Sequence, residues 1–259
     1  MSNPIEIRQL TNLEELAEMQ QVEESVWHMP PTPIHQTYTA LNHGGVLLGA
    51  YDGGKMIGFI YSFAGFDGND PYLCSHMLGI LPNYRKDGLG MKMKLKQAEI
   101  SAKMGYPMMT WTFDPLESLN AYLNLHKLGA IGAHYKIDHY GSMDDGLNQG
   151  LPTDRIQIEW HFNRTTYQAI DFDEAKLLLN IDKDGYPITI KENIDSANDV
   201  WFIAIPEKFQ TIKQQNPQLA REWRFETRKV FQALFSKGFQ AIDVVRDESN
   251  PISYYYFSK

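Results

Sequence analysis

One cysteine, Cys74, is all that 259 residues contain. An intramolecular disulfide is thereby excluded, and a reducing compartment is the natural setting. Long apolar runs are missing as well: no stretch approaches the ~20 residues that a membrane-spanning helix needs. Basic residues are not in excess. With 24 Lys and Arg against 32 Asp and Glu, the formal charge is −8, the wrong sign for a surface that tracks a phosphate backbone. Neither nucleic acid nor a membrane is therefore expected as a partner, although a local group of donors can still hold a small anion. The opening Met1-Ser2-Asn3-Pro4 leads into alternating charged and aliphatic residues, so no secretory leader is expected. Hydrophobic residues at 43% and charged residues at 22% describe a globular chain, expected in the cytoplasm, long enough for one large domain or two modest ones.

The most informative segment is Leu78-Gly79-Ile80-Leu81-Pro82-Asn83-Tyr84-Arg85-Lys86-Asp87-Gly88-Leu89-Gly90. An extended apolar stretch, Tyr72 to Leu81, stops at Pro82, passes through a polar turn and enters a lysine-rich helix predicted over Leu89 to Met104. Backbone N–H groups at a helix N-terminus point outward where the helix dipole is positive, so the turn can hold a pyrophosphate. Gly88 and Gly90 carry no Cβ, which lets a bulky anion approach the main chain. No Gly-Lys-Ser/Thr follows, so the segment is not a P-loop. The leading Gly-x-Gly of a dinucleotide fingerprint is also missing.

Around this segment the periodicity predicts a strand at Ile5–Arg8 and a helix to about Trp27, opened by a capping box at Thr11-Asn12-Leu13-Glu14. A short helix over His35–Asn42 and strands at Val46–Tyr51 and Lys55–Ala64 follow, the latter joined by Asp52-Gly53-Gly54. A strand at Met108–Phe113 leads to a helix with Asp114 as N-cap and Pro115 as its first residue, stopped by Gly129. Ala130–Tyr140 and Arg155–Phe162 read as strands. Beyond them come a helical patch over Phe172–Leu179, strands near 187–191 and 200–205, an amphipathic helix over Leu219–Ser236, and two closing strands. The aromatic run Tyr254-Tyr255-Tyr256-Phe257 reads as a core or edge strand.

The spelling Arg85-x-x-Gly88-x-Gly90, preceded by Ile80-x-Pro82-x-Tyr84, resembles the acyl-CoA-binding motif of the GNAT superfamily of N-acyltransferases. The predicted order of strands and helices over residues 5–140 resembles that fold too. The resemblance implies an α/β (α+β) architecture: a mixed central sheet whose strands splay around the acyl-CoA site. Residues 1–150 would form this domain. Residues 151–259 would be an α/β extension packed on it; a loose echo of helix, Leu128-Gly129-Ala130, strand and helix, Lys237-Gly238-Phe239, strand is consistent with a degenerate second half.

The resemblance further implies that the pantetheine arm of acetyl-CoA or succinyl-CoA adds to the unpaired edges of Tyr72–Leu81 and Met108–Phe113 as if it were a strand. Gly79 would be a bulge at the splay. Ile80, Arg85, Lys86, Asp87, Gly88, Leu89 and Gly90 would bind the cofactor moiety, with an N–H near Ile80 polarising the thioester carbonyl. Lys92 and Lys96 either add charge toward the phosphates or form a solvated face. Asp87 departs from the family pattern, since a carboxylate beside a pyrophosphate must turn away. His76 is the candidate base, against the bland alternative of a core histidine, and Cys74 a less favoured nucleophile. The family helix carries a tyrosine four residues before its Leu-Gly that protonates the departing thiolate. Leu125 stands there in this chain, flanked by the catalytic candidates Asn124 and His126.

In the last hundred residues Arg221, Arg224 and Arg228 line one helical face. Guanidinium groups bind carboxylates bidentately, which makes Arg224 and Arg228 candidates for a substrate clamp. Salt bridges to internal carboxylates are the alternative. The expected activity is acyl transfer to the amine of a small, carboxylate-bearing acceptor such as an amino acid, without a metal. A homodimer is left open. The competing expectation is a non-catalytic acyl-CoA sensor built on the same fold.

Overall fold

A computed structural model describes residues 4–85, 88–141, 150–163, 171–195, 199–247 and 250–259. The chain divides into two compact units. One runs up to Trp111 and takes in His161; the other comprises Thr112–Trp160 and the later residues to Lys259. Among the described residues no helix is long and apolar enough to cross a membrane.

The first unit is a sheet in the order β1 (Glu6–Gln9), β2 (Leu48–Asp52), β3 (Lys55–Phe66), β4 (Pro71–Ile80), β5 (Met108–Phe113). The first three pairings are antiparallel and β4 runs parallel to β5. Helices α1 (Leu13–Trp27), α2 (Ile34–Asn42) and α3 (Leu89–Lys103) complete it. Helix α1 starts one residue later than its sequence suggests. Asn12 is the N-cap and accepts from the Glu15 amide at 2.9 Å, while the Glu15 carboxylate accepts from the Thr11 amide at 2.6 Å. The box is thus closed by Glu15 rather than Glu14.

Leu16, Met19 and Val22 recur at three-residue spacing on α1. They meet Leu10, Leu47, Phe59 and Tyr61 in one buried cluster, and each such aliphatic side chain contributes ~1.5–3 kcal/mol on leaving water. Gly79 belongs to this packing and is not a bulge. It pairs in register with Phe59, and a Cβ there would lie 2.5 Å from the Phe59 ring and 3.1 Å from Trp27. Helix α3 buries Leu89, Met93, Gln97 and Ser101, four residues apart, together with Lys94.

The second unit contains strands in the order β7 (Arg155–His161), β6 (Ile131–Lys136), β11 (Gln240–Arg246), β12 (Ile252–Ser258), β10 (Val200–Pro206), β8 (Leu177–Ile181), β9 (Pro187–Thr189). The aromatic run falls on β12, with Tyr255 and Phe257 fully buried and Phe231 edge-on to Tyr255 at 5.1 Å. Phe231 comes from the long helix α6 (Pro217–Ser236), which follows α5 (Phe209–Gln215).

Two expectations fail here. The helical patch predicted over Phe172–Leu179 is one 3-10 turn, Glu174–Lys176, followed by β8. Three consecutive leucines, all buried beside β10, suit a strand covered on both faces better than one stripe of a helix. The helix expected from Asp114 begins instead at Ser118. Asp114 turns its carboxylate back to accept from the Leu116 amide at 2.9 Å, and the helix proper is a short α4 (Ser118–Ala121) continued by π-helical Tyr122–Lys127.

Candidate active site

Strands β4 and β5 pair at only two positions, Leu73 with Met109 and Cys74 with Thr110. Beyond them β4 continues to Ile80 and β5 to Phe113. The pair therefore opens as a fork whose closed end lies at Cys74 and Thr110. The Leu81 amide donates to the Ile57 carbonyl on β3 at 2.9 Å. Because successive amides of a strand face opposite edges, Ile80, and Leu78 two residues before it, turn theirs into the fork. The Ile80 carbonyl faces the same way and accepts from Arg85 Nε at 2.9 Å.

At the open end of β4 stands the glycine turn. Gly88 is the N-cap of α3 in a left-handed conformation, φ 69°, which costs glycine little and other residues more. A Cβ built on it meets no atom within 4 Å, so the helix N-terminus faces open space. Leu89 is buried, and at Gly90 the nearest side chains, Leu78 and Ile80, stand 3.5 and 3.6 Å from such a Cβ. Lys86 and Asp87 lie outside the described residues. A 3-10 turn, Pro82–Tyr84, leads into this region, and Tyr84 is tied by its hydroxyl to Asp52 at 2.8 Å. Lys96 pairs with Glu99 at 2.9 Å on the exposed side of α3. That residue belongs to the solvated face.

The bulge of β4 is at His76. Ser75 opposes Ser62 and Met77 opposes Tyr61, leaving His76 as the extra residue. Its imidazole stands 5.8 Å from the Tyr61 ring and 5.7 Å from the Phe63 ring. The residue keeps an open surface, yet desolvation is the main influence on it and lowers its pKa below the usual histidine value, with Glu23 opposing. A bulge that re-aims one side chain next to a binding edge is a recurrent device.

On the other face of β4, Ser75 points toward α3. Its hydroxyl accepts from Lys94 Nζ at 2.7 Å and donates to Gln97 Oε1 at 2.8 Å. Lys94 Nζ also lies 3.9 Å from the centroid of the Trp111 ring. The lysine is buried, and desolvation brings its pKa down to about 7 against a small opposing effect from Cys74. The Cys74 thiol is itself pushed up, by burial first, with Lys94 opposing. The lysine-rich stretch Met91–Lys96 reads as a solvated face in sequence. Only the position of Lys94, four residues after Gly90 and three before the buried Gln97, marks it as facing the sheet.

The remaining candidates belong to the second unit. Asn124 is buried in the π-helical segment, where the Leu128 amide reaches back five residues to the Leu123 carbonyl at 3.0 Å. Leu125, at the position of the family tyrosine in sequence, is buried in the same segment. His126 stacks on Tyr122 at 4.5 Å and shares a hydrogen bond with Asp243 at 3.0 Å. His126 and Tyr122 border a surface cavity of about 750 Å³ with Glu207, Arg246 and Asn250.

Arg224 and Arg228 do not present a free clamp. Arg228 is held bidentately by Asp154, and Arg224 by Asp114 at 2.5 Å. The Arg224 side chain is 2% exposed, so its other N–H groups, unpartnered among the described residues, are out of reach of a ligand arriving from solvent. Sequence shows the shared helical face of these arginines but not the aspartates, which come from other elements.

An acyl-CoA fits what the fork and turn offer: an unpaired strand edge for an extended amide-bearing arm, and a glycine-opened helix N-terminus for a pyrophosphate. Residues 11–130 match the sequence model of the acetyltransferase (GNAT) family. This stretch is a GNAT acetyltransferase domain. Solved structures agree on the fold. The ribosomal-protein-S18-alanine N-acetyltransferase of Escherichia coli is 15% identical and superposes with a TM-score of 0.51 over 65% of this chain and 100% of its own. The putative acetyltransferase yncA of Salmonella typhimurium, solved with acetyl-CoA, is 14% identical, with a TM-score of 0.51 over 64% of this chain and 98% of its own. A chain of the NatC complex bound to Gag peptide and CoA is 18% identical, with a TM-score of 0.50 over 61% and 99%. No curated protein matches the sequence at a significant level.

Proposed function

We propose that this protein is an acyl-CoA-dependent N-acyltransferase that moves an acetyl or succinyl group to the amine of a small acceptor. The observation that carries the reading is the fork between β4 and β5, ending in the glycine turn at Gly88. The pantetheine arm would lie along β4 from the turn toward the closed end, using the inward amides of Ile80 and Leu78. One of these N–H groups would stabilise the negative charge that develops on the thioester oxygen. Arg85, Gly88, Leu89 and Gly90 would present the backbone to the phosphates. Lys86 and Asp87 belong to the same turn in sequence.

His76 would accept the amine proton, directly or through water. Its lowered pKa keeps the imidazole neutral, and so able to act as a base, at neutral pH. An acceptor carboxylate gains no support from Arg224 and Arg228, which have internal partners. Residues 1–150 would carry the acyl-CoA site and residues 151–259 would extend it.

Titration of acetyl-CoA, succinyl-CoA and CoA into the pure protein tests this reading directly. Binding of at least one is expected, followed by thiol release on a panel of amino acids and amines. No binding of any of them at millimolar concentration ends it. A second reading is favoured by the buried Leu125 where the family carries its tyrosine: a sensor that binds acyl-CoA without turnover. Binding with no thiol release on any amine selects that alternative.

A further inference from the structure

We propose that Lys94 is the proton donor to the departing thiol, because its ammonium group bridges the two strands of the fork at the first residues beyond their pairing. This inference rests on the acyl-CoA reading above. Its basis is positional. The last paired residues are Cys74 and Thr110; the next on each strand are Ser75 and Trp111. Lys94 Nζ touches both, through a 2.7 Å hydrogen bond to the Ser75 hydroxyl and a 3.9 Å approach to the Trp111 ring.

The phosphate turn fixes which end of an acyl-CoA arrives there. An arm laid along β4 from Ile80 to Ser75 covers five residues at ~3.3 Å each, or ~16 Å, within the reach of an extended pantetheine. Its far end carries the sulfur. The two candidate proton-transfer groups then sit at adjacent residues on opposite faces of β4. His76 lies on the face of Tyr61 and Phe63, while Lys94 meets Ser75 on the face of α3. Base and acid would thus work from opposite sides of the same carbonyl.

The surroundings of Lys94 suit this role. Among the described residues it has no carboxylate partner. Cys74 on β4 is the one titratable group that acts on it, and β5 contributes Trp111, which does not ionise. The ammonium is therefore not neutralised by a fixed anion. A thiolate forming nearby would be the first negative charge it meets. Its pKa of about 7 lies below the ~8.5 of an ordinary thiol, so proton transfer to a thiolate runs downhill. The step balances. The amine lone pair forms the N–C bond, the C–S bond breaks, and the electron pair stays on sulfur. His76 takes the amine proton and Lys94 gives its own to the sulfur, both being restored by solvent.

The test uses bound CoA rather than turnover alone. In the wild-type complex Lys94 and the CoA thiol should titrate as one coupled pair, which moves the thiol's titration away from its ordinary course. Thiolate absorbance followed across pH reads this directly. In Lys94→Met the thiol should return to its ordinary value while CoA still binds. Acyl transfer should fall ~10²–10⁴-fold with a thioester of CoA. The loss should shrink with an acyl donor whose arylthiolate leaves without needing a proton. Thermal unfolding of the variant checks that it folds, and Ser75→Ala, which removes only the hydroxyl that steadies Lys94, should show a smaller loss in the same direction. An unchanged thiol titration in Lys94→Met, or an equal loss with both donors, overturns the assignment and leaves the acyl-CoA reading intact. Absence of CoA binding to the wild type removes both.

Discussion

The Arg228 guanidinium meets the Asp154 carboxylate through two parallel hydrogen bonds of 2.7 Å each. Asp154 has no solvent exposure, and it also accepts from the Tyr135 hydroxyl at 2.6 Å and the Asp138 amide at 3.0 Å. Removing one partner of such a pair strands a buried charge, which costs about 3–5 kcal/mol. Arg228→Ala should therefore lower stability by roughly that amount in denaturant unfolding, while the acceptor's KM changes little. A large KM change with stability intact would return Arg228 to the substrate site. The pH dependence has a definite sign. Burial is the largest influence on Asp154 and opposes its ionisation. The hydrogen bonds from Arg228, Tyr135 and Asp138 together outweigh it, and the carboxyl is held below its usual range. Its stabilisation is thus complete above the ordinary value of ~3.9 and disappears as pH falls through the lower, folded-state value.

Gly88 offers a separation of strain from charge. Gly88→Ala places a Cβ in open space but forces φ 69° on an L-residue, at a cost of about 1–2 kcal/mol. Gly88→Asp tolerates that conformation better and instead puts a carboxylate where the pyrophosphate would bind. Calorimetry should show the alanine variant losing more stability and the aspartate variant losing more CoA affinity. Equal CoA affinity in both would move the phosphate site away from this helix end.

His76 should reveal itself by pH. Desolvation lowers its pKa, so the acidic limb of kcat/KM should have its midpoint below the ~6.5 of a free imidazole. His76→Gln should flatten that limb and reduce the chemical step by ~10²–10⁴-fold, with CoA affinity preserved. A variant that loses binding and rate together would instead make His76 part of the packing against Tyr61 and Phe63.

The phosphate turn was legible because every element of it is local: an apolar strand, a proline stop, two glycines and a helix follow one another within about twenty residues. What pairing decides was not legible. His76 becomes the bulge because Tyr61 and Ser62 face three residues of β4, and nothing in β4 alone distinguishes it from Gly79. Likewise Leu177-Leu178-Leu179 is apolar in any secondary structure, and only its place beside β10 makes it a strand. The π-helical winding of Tyr122–Lys127 is hidden for the same reason, since one extra residue per turn leaves no local sign. Arg224 and Arg228 were correctly aligned, but Asp114 and Asp154 reach them from 110 and 74 residues away. Lys94 is indistinguishable in sequence from the lysines that do face solvent, because a charge in an amphipathic helix reads as exposed until a cavity or a fork claims it.

Lys94 also makes a prediction about stability that needs no ligand. Its pKa is about 7 in the folded protein, chiefly through desolvation, and ~10.4 in an unfolded chain. Between these values the unfolded state binds a proton that the folded state has released. Folding stability should therefore rise with pH from about 7 toward 10, and this contribution should be flat below 7, where both states are protonated. Lys94→Met replaces the desolvated ammonium with an apolar chain of similar length, a change that is often neutral or stabilising when a buried charge is removed. The variant should accordingly be at least as stable as the wild type at pH 6. Its advantage should narrow steadily as the wild type deprotonates on the way to pH 9. Denaturant unfolding of both proteins at four pH values measures the difference. Parallel curves would place the lysine in water, and the fork would then be open to solvent at its closed end.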